Sequence, residues 1–556
     1  MGNPENFLPP PPTVRFISPM RLRVFALSIA SIALLLTACG KRETTAEAGI
    51  RTKTLLLGNQ NEPASLDPHV VDSLTDGIIL ASLYEGLTVT DEKSSSALPG
   101  VAERWEISAD GLVYTFHFRA DARWSNGDPV TARDFAFSFQ RILTPAFGAG
   151  YSYMLWPLKN AERFNKGDLK DFSDVGVEVI DDRTLRLRLT HPTPYLPALA
   201  AHNTWMPVHR ATIEKFGRID DRANPWTRPG NLVGNGPFTL AEWSPNARLV
   251  VAKNPRYWDA ARTTLESVVF FPTEKSDTED FNFRAGQVHV TFDVPKSKLP
   301  TYRAQSPSPL RIDPLLNITY LNFNATKAPF TDPRVRRALA LAVDRDALSQ
   351  KVLNGAFLAA ASVVPPDCGA YVSRTRLALD YAEARRLLAE AGFPGGKNFP
   401  SIPVQVLNDE NQPRMMEAIQ AMWQRELGIN VTIEPFEQKT LFQNQQNLAH
   451  TLGFLGWTAD FPDPATFLEI FRTGNGQNWT GWGDKAYDAL LDQATATADP
   501  VRRFALFQEA EALLLNQAPV APLVHRARTY LIHPAVKNWE AAPLSIRRFQ
   551  LVRLEE

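Results

Sequence analysis

The chain has 556 residues, with 59 Lys and Arg against 60 Asp and Glu, a formal net charge of −1. Because positive and negative charges are nearly equal in number, the chain has no global field that favours nucleic acid or an anionic membrane surface. We therefore expect no nucleic-acid partner. Hydrophobic residues make up 44% and charged residues 21% of the chain. These values are typical of a globular protein, and the length predicts at least two domains.

Residues 1–39 are predicted to be an export signal. A basic head at residues 20–23 precedes an apolar run over residues 24–36, which ends in the sequence LTAC at residues 36–39. This order is typical of a secretory signal, and the run is shorter than the roughly 20 residues that span a membrane. LTAC resembles the lipobox of bacterial lipoproteins, which implies cleavage before Cys39 and its lipidation. A plain signal peptide with a chance cysteine is the alternative.

The signal also bears on where the chain starts and on its cysteines. Its position indicates that translation starts at Met20. Residues 40–52 are small and charged, without an apolar pattern, and are predicted to be a tether.

If Cys39 is lipidated, the only other cysteine, Cys368, has no intrachain disulfide partner. We expect Cys368 to be a packed, small apolar residue.

The remaining chain mixes strand and helix patterns. Strands are predicted by an apolar run at residues 54–57 and by alternation over residues 113–119 and 185–189. Helix starts are predicted at Asp332-Pro333, at Asp380 and at Asp499-Pro500, because an Asp cap is followed by Pro or by an acidic third residue. This alternation favours the α/β class.

Motifs for catalysis are absent from the sequence. It contains no nucleophile elbow, phosphate-binding glycine loop or dinucleotide fingerprint. The nine histidines are scattered without metal-ligand spacing, and we interpret His202 and His209 as surface or structural residues. We therefore predict a protein that is not an enzyme and uses no metal or cofactor. An exported hydrolase would need a nucleophile–base pair that the sequence does not reveal.

One long block resembles a known family. Residues 99–141 read PGVAERWEISADGLVYTFHFRADARWSNGDPVTARDFAFSFQR, which is similar to the signature of the peptide- and nickel-type solute-binding proteins of ABC importers (family 5 extracellular solute-binding proteins). Further blocks match in order over nearly all of residues 51–556, and the periplasmic oligopeptide-binding proteins are the most similar group. Trp124 and the turn after it are expected to build structure.

The resemblance implies a two-lobed periplasmic-binding-protein fold of the α/β class, cluster C type, with an extra domain inserted in the first lobe. Ligand is expected in the cleft between the lobes, with the hinge near Leu316 and Arg528. The implied boundaries are 51–84, 206–316 and 529–556 for lobe I, 85–205 for the inserted domain, and 317–528 for lobe II.

The resemblance also implies ligand-binding residues. Asp460, in the sequence WTAD, matches the aspartate that takes the peptide's α-ammonium, and a buried ammonium does need a carboxylate partner. Trp457 and Tyr151 match aromatic residues that line the cleft. Leu74 matches a residue whose backbone pairs with peptide. Asn322 stands where the family has an acid and is expected to change the charge of the pocket, whereas Asp463 is interpreted as a turn residue.

Three positions depart from the family. Pro413, Gln445 and Phe454 stand where the enteric relatives have basic side chains for the peptide's C-terminal carboxylate. Three explanations remain open. Arg414 or His450 takes the carboxylate, the carboxylate stays in water, or the ligand lacks an ordinary C-terminus.

We therefore predict a lipid-anchored, monomeric binding protein of the periplasm or cell envelope. It would capture oligopeptides and deliver them to the permease and ATPase of an ABC importer. One alternative within the same fold is a different ligand, such as a murein peptide, a modified peptide, a metal chelate or another small solute. A second alternative is a surface receptor or chaperone that does not serve transport.

Overall fold

The structure is a computed structural model that describes Gly2 and residues 43–71, 73–409 and 411–556. The predicted export signal, its lipidation site at Cys39 and residues 40–42 lie outside the described residues. Over the part of the chain that is described, no helix has the length and apolar character needed to cross a membrane.

Helices and strands alternate along the chain, as the sequence patterns predict. The α-helices are α1 Thr45–Thr52, α2 Leu74–Leu83, α3 Ala132–Leu143, α4 Ala161–Asn165, α5 Leu196–Leu199, α6 Arg210–Phe216, α7 Ser276–Arg284, α8 Leu299–Arg303, α9 Pro333–Leu341, α10 Arg345–Ala347, α11 Tyr381–Glu390, α12 Gln412–Leu427, α13 Gln438–Gln446, α14 Ala465–Leu468, α15 Lys485–Thr495 and α16 Pro500–Gln517. The strands of the first half are β1 Thr54–Gly58, β2 Thr88–Thr90, β3 Ala97–Pro99, β4 Ala102–Ile107, β5 Val113–Phe118, β6 Val177–Asp181, β7 Thr184–Arg188, β8 Phe238–Ser244, β9 Arg248–Lys253 and β10 Ser267–Phe271. Those of the second half are β11 Leu310–Pro314, β12 Asn317–Phe323, β13 Leu358–Ala359, β14 Ile402–Leu407, β15 Val431–Phe436, β16 Leu452–Thr458, β17 Val520–His525, β18 Ala527–Leu531, β19 Val536–Lys537 and β20 Arg553–Leu554.

The predicted local elements are confirmed. β1, β5 and β7 match the three predicted strands, although β5 and β7 each end one residue before the predicted end. The helix starts are confirmed by their caps, because the side chains of Asp332, Asp380 and Asp499 each accept a hydrogen bond from a backbone N–H of the following first turn.

The predicted tether over residues 40–52 is wrong from Thr45 onward, where α1 begins. Thr44 and Glu47 form a capping box at the start of α1, which satisfies free backbone donors at that end. Ala46 is 2% exposed and belongs to the packed body. Because α1 has only two small residues on its buried face, its composition resembles that of a linker.

Three larger sheets organise the chain. β1, β10, β9 and β8 form a four-stranded sheet in which only the β1–β10 pair is parallel. β4, β5, β7 and β6 form an antiparallel sheet. The third sheet has six strands in the order β13, β17, β12, β16, β14, β15, and is parallel only at the β16–β14 and β14–β15 pairs.

The buried apolar residues group in the same way. One cluster takes all its residues from the range 87–205, and it contains fully buried Trp124, as predicted. A second combines residues from 55–84, 206–290 and 530–552, together with Phe137. Two more lie within 294–531, and Cys368 is buried in one of them, also as predicted. The lobe boundaries of the sequence analysis stay a prediction, which this grouping supports.

Two strands connect the four-stranded and six-stranded sheets. β11 pairs antiparallel with β18, and these strands lead directly into β12 and out of β17. On β18, the guanidinium of Arg528 lies 4.4 Å from the ring centre of Phe292, and its Nε donates to the Phe292 carbonyl oxygen at 3.3 Å. The chain therefore crosses twice at one place, which is the position predicted for the hinge.

Candidate ligand-binding cleft

A cavity of about 600 Å³ lies where segments from distant parts of the chain meet. Its wall is built by α2 and the residues before it, by Tyr151, by residues 201–203 and Met206, by α13, by residues 458–460 and by residues 544–546. Among the predicted site residues, Asp460, Tyr151 and Leu74 lie on this wall.

Asp460 provides the acidic group of the cavity. It follows β16, and the backbone N–H of its neighbour Ala459 donates to the Leu316 carbonyl oxygen at 2.8 Å, which holds the loop against the crossing strands. Burial raises the pKa of Asp460 to about 7. Within the described residues, neither an ion pair nor a hydrogen bond engages this carboxylate. The side chain is therefore partly desolvated without a protein partner.

Aromatic side chains stand beside this carboxylate. The Tyr151 ring centre lies 5.4 Å from that of Tyr153 and 6.1 Å from that of His202, which is nearly parallel to it. Burial and then the charge of Asp460 raise the pKa of Tyr153 far above its usual value. Burial lowers the pKa of His202 to about 4, so the ring is neutral at pH 7. An electron-rich surface next to a carboxylate is suited to a cation.

Leu74 marks the start of α2 at the cavity. The Ser73 side chain caps this helix by accepting the backbone N–H of Asp76 at 3.2 Å. Leu74 is 42% exposed, and Ile78 lies one turn further along the same apolar face of the wall. The predicted position is therefore accessible from the cavity.

The structure does not bring Trp457 to the cavity wall. Its indole Nε1 donates to Thr466 Oγ1 at 3.3 Å, and its ring packs against the core of the six-stranded sheet. Thr458 and Asp460 line the cavity instead. Alternation along β16 turns Trp457 to the other side, and the residue supports the loop from behind.

Asn322 is also away from the cavity, and its predicted effect on the charge of the pocket is not seen. It lies fully buried on β12, where its Nδ2 donates to Gln445 Oε1 at 2.9 Å and to the Trp479 carbonyl oxygen at 3.2 Å. Every residue of β12 is buried. A strand covered on both faces carries no alternation that tells which side faces ligand.

Two of the three departures from the family, Gln445 and Phe454, lie in the core, and Pro413 is half-buried. Gln445 donates to the Phe454 carbonyl oxygen at 3.1 Å, and both residues are fully buried. Pro413 lies in the first turn of α12. Of the suggested replacements, Arg414 is exposed beside it and is not on the cavity wall. His450 is 1% exposed, and burial lowers its pKa to about 4, so it supplies no positive charge at pH 7.

Asp463 is interpreted from the sequence as a turn residue, and the structure gives it a further role in the core. It is buried and forms a two-point ion pair with Arg503, at 2.7 and 2.8 Å. It also accepts the backbone N–H of Ala465 at 3.0 Å. Its oxygens are therefore committed within the protein.

Sequence reasoning missed several residues of the wall. Phe442 of α13 is 41% exposed at the cavity. His202 was expected to be a surface or structural residue, yet it lines the cavity beside Tyr151. Residues 544–546 come from an irregular segment near the C-terminus. No periodicity marks such a segment, so only the tertiary structure reveals its place.

Comparison with known proteins assigns this chain to a family. The family described as bacterial extracellular solute-binding proteins, family 5 Middle, matches residues 97–479. The chain belongs to this family. It is 33% identical over 500 residues to the periplasmic oligopeptide-binding protein OppA of Salmonella typhimurium, covering 88% of this chain and 90% of the relative. It is 35% identical over 490 residues to the probable deoxycholate-binding periplasmic protein YgiS of Escherichia coli, covering 86% and 89%.

Solved structures agree with this assignment. The unliganded open form of the periplasmic murein tripeptide binding protein MppA superposes with a TM-score of 0.79 at 30% identity, covering 90% of this chain and 97% of that one. The OppA of Haemophilus influenzae in complex with RPPGFSPFR gives 0.73 at 28% identity, covering 90% and 99%. The prediction of a two-lobed α/β binding-protein fold is confirmed, and the family and these relatives are binding proteins.

Proposed function

We propose that this family 5 solute-binding protein captures peptides in its cleft outside the cytoplasm and delivers them to the permease and ATPase of an ABC importer. The observation that carries the proposal is the unpaired carboxylate of Asp460 at a cavity of about 600 Å³. The relatives named for oligopeptides and murein tripeptide support the same class of ligand.

The α-ammonium of a peptide is the group that Asp460 is suited to bind. A carboxyl whose pKa is raised by burial becomes fully ionised when a cation approaches it. The ammonium in turn needs a counter-charge once water is excluded. We propose that Tyr151 and Leu74 contact the same end of the ligand, and that Trp457 supports the Asp460 loop through Thr466.

The variant Asp460→Asn tests this role. It should weaken binding of a free-amine peptide by about ten- to a hundredfold, because a charge-assisted contact is lost. Binding of the N-acetylated form of the same peptide should change by less than about threefold. Titration calorimetry measures both. An equal loss for the two ligands would show that Asp460 does not bind the ammonium.

Export and anchoring are proposed from the sequence. The basic head, apolar run and LTAC ending support secretion to the periplasm or cell envelope and lipidation of Cys39, and we propose a monomer held at the membrane by that lipid. Cys39→Ser should move the protein from the membrane to the soluble fraction; unchanged membrane fractionation would contradict the anchor.

A second candidate ligand is an amphipathic solute other than a peptide. The cavity wall carries apolar side chains at Leu74, Ile78, Leu544 and Ile546, and the relative YgiS is named for deoxycholate. Titration with deoxycholate separates the two candidates. Micromolar binding of deoxycholate, with no binding of free-amine peptides, would favour the second.

A further inference from the structure

A small recess adjoins the cavity on the side of the C-terminal segment. Its volume is about 30 Å³, which is room for about two water molecules or one carboxylate group. Ala81, Ala201, Met206 and Ile546 line both the recess and the cavity, so the two spaces share a wall. The recess is further lined by Arg548 and Gln550.

Two polar atoms at this recess have no partner. Arg548 Nε and Gln550 Oε1 are buried, and neither has a hydrogen-bond partner within residues 43–71, 73–409 and 411–556. Gln550 is 3% exposed as a whole. Buried polar groups are nearly always satisfied in folded proteins, so an unpartnered donor and an unpartnered acceptor on residues that line the same recess point to a group that comes from outside.

The neighbouring arginine, Arg547, has protein partners for its side chain. Arg547 forms a buried ion pair with Glu92, donates to the Glu540 carbonyl oxygen at 2.7 Å and stacks 4.1 Å from the ring centre of Trp539. The other Glu92 oxygen accepts the backbone N–H of Arg548. Both Glu92 oxygens are therefore occupied, and no other acid among the described residues forms an ion pair with the guanidinium of Arg548.

The acid that lines the recess, Glu85, is also hydrogen-bonded within the protein. Glu85 accepts a hydrogen bond from the Tyr257 hydroxyl and another from Trp258 Nε1 at 2.8 Å. Arg119 stacks on the Trp258 ring at 3.6 Å and adds positive charge nearby. Over the part of the chain that the structure describes, the Arg548 guanidinium therefore forms no ion pair, although its charge acts to lower the pKa of Glu85 and Glu92.

We propose that Arg548 receives the C-terminal carboxylate of the bound peptide in this recess, and that Gln550 Oε1 accepts the backbone N–H of the peptide's last residue. This inference rests on the proposed function. The planar guanidinium can donate two parallel hydrogen bonds to a carboxylate. The last residue of a peptide carries both an anionic carboxylate and an adjacent N–H donor, which would supply partners for Arg548 Nε and Gln550 Oε1. Arg548 would thus supply the positive charge for the peptide's C-terminal carboxylate, which Pro413, Gln445 and Phe454 cannot supply.

The test uses the tetrapeptide Ala-Phe-Leu-Ala as its free acid and as its C-terminal amide, with titration calorimetry on the mature chain. The wild type should bind the acid about tenfold more tightly than the amide, as expected for a charge-assisted contact. Arg548→Gln should weaken the acid about tenfold and the amide by less than about twofold, which removes the preference. Arg548→Lys should restore part of it, since the charge remains but the two-point geometry is lost.

A matched control and three outcomes make the test decisive. Arg553→Gln removes an exposed arginine of the same segment and should leave both affinities unchanged. Equal binding of acid and amide by the wild type would overturn the role of Arg548 and leave peptide binding intact. Equal weakening of both ligands by Arg548→Gln would show a merely structural role and also overturn it. If the wild type binds neither form, the proposed function itself fails, and this inference fails with it.

Discussion

Two aspartates three residues apart, Asp460 and Asp463, have opposite environments. Asp463 is held by Arg503 through two hydrogen bonds and lies in the core. Asp460 faces the cavity without a partner within the described residues, and burial raises its pKa to about 7. Arg547 and Arg548 repeat the contrast, since Glu92 forms an ion pair with Arg547 and the Arg548 side chain has no ion-pair partner in residues 43–71, 73–409 and 411–556. In both pairs, the charged side chain without an ion-pair partner among the described residues lines the cavity or its recess.

The largest change in folding stability is expected from substitution of Asp463. Asp463→Asn should lower the free energy of unfolding by about 3–5 kcal/mol, because it leaves Arg503 buried without its counter-charge. Urea denaturation with and without peptide measures the loss. The double variant Asp463→Asn, Arg503→Met should recover part of the stability. A loss below about 1 kcal/mol would show that the pair contributes little to the fold.

A smaller effect of opposite sign is expected at Asp460. Its pKa is raised by burial to about 7 from the usual 3.8, so the folded state binds a proton more tightly than the unfolded state does. Stability is therefore full below about pH 4 and falls as the pH rises toward 7. Asp460→Asn should stabilise the protein at pH 8 by an amount on the order of 1–3 kcal/mol, reduced for partial solvent access.

Thermal unfolding at pH 4 and pH 8 measures this difference. The gain from Asp460→Asn should disappear at pH 4, where the native carboxyl is already neutral. Arg503 forms its ion pair with Asp463. Its charge therefore gives no reason for Asp460→Asn to stabilise the protein at pH 4. A gain of equal size at both values would mean that the asparagine stabilises through packing and not by removing an unpaired charge.

The sequence predicted local structure well where one signal was sufficient. The Asp caps at positions 332, 380 and 499 specify helix starts by short-range hydrogen bonds. The resemblance to a family brought Leu74, Tyr151 and Asp460, which are far apart in the chain, to one cavity. This placement depends on tertiary structure that propensity does not encode.

The sequence failed where a residue's surroundings depend on distant packing. Asn322 lies on a strand buried on both faces, so a pattern of alternation could not place its side chain. The helix over Thr45–Thr52 has the composition of a linker and is stabilised by its cap and by contact with the body. The positive recess at Arg548 forms only because a C-terminal segment folds back to the cavity, and no motif marks it.

The most direct test of the central claim is mass spectrometry of the ligand that co-purifies with the mature protein and is released by denaturation. We predict a mixture of short peptides with free α-amines and free carboxylates, because Asp460 and Arg548 present unmatched charges of opposite sign. A single species without an amine, such as a bile acid, would contradict peptide capture. Peptides with blocked C-termini would keep the role of Asp460 and exclude that of Arg548.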